Sequence, residues 1–537
     1  MKPHFKTGIV MQTFLRTLFV VLGTTGAVFA DFTCLVEDYQ VLQRDEDDTA
    51  TCCVVVPQEL PKGARFQVTV TDNAGTQIAR HANVTPEPVG DTARAVVLRK
   101  LPVGGPYMVA VAASTEDQDQ PARILVFRQI LVGDIWLMAG QSNMYGSVRL
   151  EEKLPALPYL NMLNFELIRE EPHWSAGIPP LHRYPAELGA SNMLKKQYPQ
   201  ATAAEIAEML ENKVPAGGIG PGYFFAKTLY RQSGVPIGLL PFALGAALAD
   251  WDPAKPNQGR YGFVQRQLKK AGGRAKGVLW YQGEQDAIFG HDTKTLTRPS
   301  RIYPVSTYAA EYKKLVEALR RDCHNPNMPV ILAQVHGHYH PPFYQAAGYA
   351  EEHVEQKALS GNLLRGRGWE KLREIQRLLP ETIPHVHTVP TVDLDVADGL
   401  HLDYQSYTKL GPRMASVALP YVDPEATPRT EIRLKSANWS GGGQIRVEFE
   451  GVVGKLWAPG KPTGFTLRNQ KTGLDESWIF KIEFDAARPN VVLLRFSGAF
   501  PRNQMQLCYA TGPTPYANIQ DQGGMPLPAL GPIQIAE

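Results

Sequence analysis

The chain has 537 residues, 44% of them apolar and 20% charged, with a formal net charge of +2. That length implies about two to four domains and an ample buried core. The near-neutral balance, with no basic arm or Lys/Arg cluster, excludes nucleic acid as a partner. Residues 1–30 read as a signal peptide: Lys2, Lys6 and Arg16 flank an apolar run that ends in Val28-Phe29-Ala30, and Asp31 begins the mature chain. The run is too short and too rich in Gly and Thr for a membrane span, and no later segment is long and apolar enough to be one. The expected location is secreted or periplasmic. Five cysteines follow, Cys34, Cys52, Cys53, Cys323 and Cys508. A Cys34 disulfide to Cys52 or Cys53 and buried free thiols are both open. No C-x-x-C pair offers a structural zinc site.

Residues 31–127 alternate apolar and polar positions, as in Arg65 to Val70 and Tyr107 to Val111, between turn signals such as Asp72-Asn73-Ala74-Gly75. This pattern predicts an N-terminal β-sandwich domain. Over 128–422, strands alternate with helices. Strands are predicted at Ile130–Ala139, Val235–Leu244, Lys276–Tyr281, Val330–Val335 and His385–Leu394. Helices are predicted at Gly222–Tyr230, Tyr308–Arg321, Trp369–Leu379 and Tyr404–Ala418. Such alternation gives an α/β fold, a parallel sheet with helices on both faces. Residues 171–220 lack sheet signals and read as an insertion, helical at Ala203 to Lys213. Residues 423–537 return to β patterning, a C-terminal β domain.

In a parallel sheet the functional groups collect beyond the carboxyl ends of the strands. Ser142, Gly245, Gln282 and His338 each lie just past such an end. Ser142 stands in Gly140-Gln141-Ser142-Asn143-Met144, where a serine beside a glycine is the arrangement of a hydrolase nucleophile. A serine hydroxyl needs a base. His401 in Asp398-Gly399-Leu400-His401 supplies one, and Asp398 three residues earlier orients its imidazole. Asp395 and Asp403 are the substitutes if the loop is shaped differently. His336, His338 and His340 sit at alternate positions before Pro341-Pro342. They fit the polar rim of a sugar pocket better than a metal site, because no carboxylate spacing completes a ligand set. No metal or cofactor is expected.

These motifs together resemble the sialate O-acetylesterase group of the SGNH hydrolase superfamily, related to the acetylxylan esterases of carbohydrate esterase family six. The matching segments are Val132 to Trp136 leading into Gly140 to Met144, Gly277 to Glu284, Trp369 to Gln376, and Asp398 to His401 with Leu410-Gly411. Leu101 to Tyr107 resembles the end of the family's N-terminal β domain, and Tyr516-Ala517-Asn518 with Gly523 to Pro526 its C-terminal tail. The chain departs from the family at Leu244-Gly245-Ala246, where Gly-Gly-Thr is usual, and at Glu284-Gln285-Asp286, where Glu-Ser-Asn is usual. The resemblance implies an SGNH, flavodoxin-like sheet and hydrolysis of O-acetyl esters on an acetylated glycan. It implies an oxyanion hole from Ser142, Gly245 and Gln282. It also places Gln141, Asn143, Trp251, Glu284 and His338 among the substrate-binding candidates, with packing for Trp251 and bracing for Glu284 as the competing roles. Two other functions fit parts of the pattern, a lipase or thioesterase acting on longer acyl groups and a non-catalytic glycan-binding module. The sequence does not fix the sugar or the oligomeric state.

Overall fold

The structure is a computed structural model that describes residues 36–56, 64–89, 93–114, 123–147, 152–164, 172–182, 194–195, 197–211, 218–255, 259–289, 304–338, 354–498, 501–513 and 515–537. The predicted signal peptide, Cys34 and His340 lie outside the described residues. So does part of the 171–220 insertion, although its helix is seen at Ala203–Glu211. No helix of the described residues is long and apolar enough to cross a membrane.

The N-terminal strands are β1 (Val41–Gln43), β2 (Thr49–Val56), β3 (Arg65–Thr71), β4 (Gln77–Val84), β5 (Glu87–Val89), β6 (Ala93–Pro102), β7 (Gly104–Ser114) and β8 (Arg123–Gly140). One sheet joins β2, β6 and β5, while β3, β4 and β7 pair through β7 onto β8. The two layers close over a core that includes Val54, Val68, Val96, Val109 and Ile130. Alternating burial along β3 produces this core, with Phe66, Val68 and Val70 pointing inward. Strand β8 is 18 residues long and passes residue 127 without a break. The predicted boundary between the first two domains therefore falls inside one continuous strand.

The second half of β8 is the centre of a parallel sheet. The later strands are β9 (Leu160–Asn164), β10 (His173–Ala176), β11 (Ile237–Pro241), β12 (Gly277–Tyr281), β13 (Val330–Ala333) and β14 (Val386–Val389). Their order is β10-β9-β11-β8-β12-β13-β14. All pairings are parallel except β10 with β9. The connections leave β8 toward both sides, so a crevice opens at its carboxyl end. β9, β11, β12 and β13 are buried at every position, as expected for strands covered on both faces.

Eight helices are labelled here: α1 (Ser142–Tyr145), α2 (Ala203–Glu211), α3 (Gly222–Ser233), α4 (Gly259–Lys270), α5 (Glu284–Phe289), α6 (Tyr308–Asp322), α7 (Val354–Thr382) and α8 (Tyr404–Val422). The predicted helix at Trp369–Leu379 is the last part of the longer α7. The C-terminal residues form two four-stranded sheets. Their core is continuous with that of the parallel sheet. The chain thus has the SGNH-type fold, a helix-covered parallel sheet with further β-sheet regions on either side in sequence. The described cysteines, Cys52, Cys53, Cys323 and Cys508, are buried.

A buried ion pair locks the two halves of β8 to their surroundings. Arg44 donates from Nε to Asp134 Oδ1 at 3.0 Å and from Nη2 to Asp134 Oδ2 at 2.8 Å, and also to the Val422 carbonyl at 2.6 Å. Asp134 is wholly buried. Removing one partner of such a pair strands a charge in the core, at a cost of about 3–5 kcal/mol. Arg44→Ala is therefore expected to lower the urea midpoint of the full chain by a corresponding amount. A midpoint equal to the parent's would show that Asp134 finds another partner.

Candidate active site

Ser142 is the first residue of α1, directly after Gly140 and Gln141. Gly140 has φ +134, and a Cβ there would come within 2.1 Å of the Tyr281 carbonyl. Only glycine lets β8 end this close to the end of β12. Gln141 N then donates to Tyr281 O at 2.9 Å. The Gln141 side chain accepts from Gly283 N at 3.3 Å and is buried. Ser142 is half-buried. Its N–H and that of exposed Gly245 have no hydrogen-bond partner among the described residues. A Cβ built on Gly245 meets nothing within 4 Å, so space is open over that backbone.

Asp398 and His401 form a contact pair. His401 Nδ1 donates to Asp398 Oδ2 at 2.6 Å, and Asp398 Oδ1 accepts the backbone N–H of His401 at 2.8 Å and of Leu400 at 3.1 Å. The pair sits at the tip of a small hairpin. Val396 bridges Leu402, and Ala397 N donates to His401 O at 2.8 Å. Gly399, at φ +85, makes the reversal. Partial burial opposes ionisation of Asp398, but the bonds from His401 and Leu400 outweigh it and hold the carboxyl well below the usual carboxylate range. With Nδ1 carrying the proton, Nε2 is left as the acceptor. Asp403 instead caps α8 by accepting from Ser406 N at 2.7 Å, and Asp395 is an exposed residue at the hairpin base. Of the three aspartates weighed, Asp398 alone bonds to His401. No hydrogen bond joins Ser142 to His401 among the described residues. Such bonds often tighten only when substrate binds.

Four residues expected at the substrate are buried. Asn143 is 1% exposed. Its Nδ2 donates to Glu284 Oε1 at 2.6 Å and to Leu400 O at 3.2 Å, and its Oδ1 accepts from Leu402 N at 2.9 Å and Tyr407 at 3.3 Å. It therefore ties the His401 hairpin to the residue next to Ser142. Gln141 is turned into the protein by its bond to Gly283. Trp251 is buried and packs edge-on against Trp280, with centroids 5.0 Å apart. His338 is buried, stacked on Trp369 at 6.3 Å, and its N–H donates to Pro513 O at 2.6 Å.

Gln282 also departs from expectation. It is wholly buried, and its Nε2 protons go to Asp286 Oδ2 and to Ala246 O at 3.3 Å, while its Oε1 accepts from Tyr308 at 3.0 Å. An amide with both protons engaged has none to offer an oxyanion, so Gln282 braces the site. Glu284 is likewise a brace. Burial raises its carboxyl above the usual range, against the pull of Asn143 and His401.

Among the described residues, no group of three His, Cys, Asp or Glu side chains is placed to hold a metal ion. Burial lowers the His336 imidazole to about 4, and its Nε2 donates to Leu394 O at 2.7 Å. Sequence reasoning missed Tyr407 and Tyr308, whose only signal was polarity inside otherwise apolar helical patterns, and marked Asp286 only as a departure from the family's usual Asn. Asn143→Ala would leave the Glu284 carboxyl and Leu402 N–H without their bonds and loosen the hairpin. A misplacement of about 1 Å costs up to roughly 10²-fold. Turnover on an acetyl ester should therefore fall by about 10–100-fold, and parental turnover would show that other contacts place His401.

Residues 132–420 match the family model for the carbohydrate esterases that are sialic acid-specific acetylesterases. A probable carbohydrate esterase of Arabidopsis thaliana is 26% identical over 224 residues, covering 40% of this chain and 73% of that protein. Human sialate O-acetylesterase is 25% identical over 237 residues, covering 38% of this chain and 41% of that protein. A solved structure of a carbohydrate acetylesterase from Xanthomonas citri superposes with a TM-score of 0.59 at 20% identity, covering 93% of this chain and 98% of the other. That likeness shows a shared fold. The family model spans more than half of the sequence and includes both Ser142 and His401, so the chain belongs to the sialic acid-specific acetylesterase family of carbohydrate esterases, which are carboxylic ester hydrolases.

Proposed function

We propose that this protein is exported and hydrolyses O-acetyl esters of an acetylated glycan through an acetyl-enzyme on Ser142. One observation carries the reading. The Asp398–His401 pair is held by a hairpin that Asn143, the chain neighbour of Ser142, grips at Leu400 and Leu402. Nucleophile and base are thus referred to the same strand end.

Ser142 Oγ attacks the acetyl carbonyl carbon, and its proton passes to His401 Nε2. Asp398 holds the tautomer with Nδ1 protonated and stabilises the imidazolium. The carbonyl oxygen becomes an oxyanion and takes the N–H groups of Ser142 and Gly245, donors worth roughly 3 kcal/mol each. The C–O bond to the sugar breaks as His401 returns the proton to the leaving oxygen. Water then attacks the acetyl-enzyme, losing its proton to His401, and acetate leaves with Ser142 restored. These steps need no cofactor.

The direct test is acetate release from a panel of acetylated glycans. Ser142→Ala should lose activity by several orders of magnitude with folding intact. Retention of more than about a tenth of parental turnover would overturn the nucleophile. Asp398→Asn should lower turnover while leaving KM near the parental value, because the amide favours the wrong tautomer. Damage from Asp395→Asn instead would move the role. Selectivity across acetyl, butyryl and octanoyl esters should decline gradually, since one methylene is worth only about 1–3 kcal/mol. Faster octanoyl than acetyl cleavage would favour a lipase.

A further inference from the structure

The loop that carries Gly245 is pinned at four of the five residues 244–248. Leu244 N donates to Gly140 O at 3.1 Å. Gly245 O accepts from Arg260 at 3.4 Å. Ala246 O accepts from Gln282 Nε2 at 3.3 Å. Leu248 N donates to the Asp286 carboxylate, at 3.1 Å to Oδ2 and 3.4 Å to Oδ1. Two of these four anchors trace to Asp286, because it also accepts the second proton of the Gln282 amide. Tyr308 donates to Gln282 Oε1, which fixes the amide's orientation from the other side. The N–H groups of Gly245, Ala246 and Ala247 have no hydrogen-bond partner among the described residues, and of these Gly245 is the exposed residue, with open space above its backbone.

We propose that Asp286 is a positioning residue whose carboxyl group, through Gln282 and the Leu248 N–H, sets the placement of the Gly245 N–H for acyl transfer. This rests on the ester-hydrolysis reading and extends it to a residue that touches neither substrate nor triad. A carboxyl group is a costly way to brace a loop here. Asp286 is 1% exposed, with no ion pair to a cation among the described residues, and burial pushes it up to about 7. What it offers in return is two adjacent acceptor oxygens, enough for donors from two different chain segments.

The test uses full-length protein with Asp286→Asn and Asp286→Leu, alone and with Gln282→Leu. Asparagine is nearly isosteric, but its single oxygen serves one donor, or else Gln282 flips and releases Ala246. The expected result is about tenfold lower kcat for Asp286→Asn and about a hundredfold for Asp286→Leu, with KM near parental, as for loss of a transition-state donor. The double variant Asp286→Leu with Gln282→Leu should be little worse than either single, because the two act as a unit. Amide hydrogen exchange over residues 244–250, measured without substrate, should speed up in both Asp286 variants. Parental kcat and unchanged exchange in Asp286→Asn would overturn the proposal, as would a rise in KM at constant kcat. If Asp286→Leu fails to fold, Asp286→Asn decides alone. Absence of acetate release from the parent would sink the ester reading, while loop exchange in Asp286→Asn would still show whether Asp286 holds the loop.

Discussion

Strand β8 has to satisfy two sheets at once. Its first half pairs antiparallel with β7, and its second half pairs parallel with β11 and β12. At about 3.3 Å per residue its 18 residues span roughly 60 Å, enough to run through both layers. Two glycines make the dense middle possible. A Cβ on Gly133 would meet the Pro236 carbonyl at 2.0 Å, and one on Gly140 would meet Tyr281. Between them lies Asp134, neutralised by Arg44, the residue that follows β1. A shift in register along β8 would misplace the N-terminal layer, the central strand and Ser142 together.

Around the strand end, most of the polar side chains serve other polar side chains. Asn143 joins Glu284 to the hairpin, Gln282 joins Asp286 to the Gly245 loop, and Gln376 joins Gln282 O at 2.9 Å to Val335 N at 2.9 Å. Buried amides suit this task because each has donors and an acceptor at one end. In a low-dielectric interior a fully satisfied network is rigid, and a half-satisfied one is costly. The Asp398 side chain differs in being more than half exposed. Its bond to His401 is set by the hairpin geometry, with solvent screening much of its wider field.

Five strands of the parallel sheet were legible in the sequence because continuous apolar runs such as Gly277–Tyr281 are bounded by turn chemistry, whereas β9 and β10 were not, and β10 falls in the 171–220 stretch read as lacking sheet signals. The Asp398–His401 pair was legible because Asp, Gly and His at that spacing make a tight turn with its own internal bonds. The facing of side chains was not. Position beyond a strand end places a residue near the crevice but does not choose which way it points. Asn143, Gln282 and His338 are turned inward by partners that lie far along the chain: Glu284 and Leu402, Ala246, and Trp369. Trp251 read as an even choice between sugar platform and core, and the neighbour that decides it, Trp280, belongs to another element. The predicted boundary at residue 127 followed a real change of pattern, from alternating to continuously apolar, but a change in burial is not a break in a strand.

The C-terminal β region is joined to the parallel sheet through Gln334, the residue after β13. Its Oε1 accepts from Ala529 N at 3.0 Å and its Nε2 donates to Ala529 O at 3.0 Å, as a neighbouring strand would. Gly531 N adds a bond to Glu374 at 3.0 Å. The Gln334 Nε2 also donates to Arg373 O at 2.9 Å, but its Oε1 takes its bond from a residue almost two hundred positions later. A chain made N-terminus first at about 5–20 residues per second spends on the order of ten seconds before that buried oxygen is paired. The sheet that carries Ser142 can assemble early, but this contact is completed only once Ala529 has been made, so it orders folding in time as well as in space.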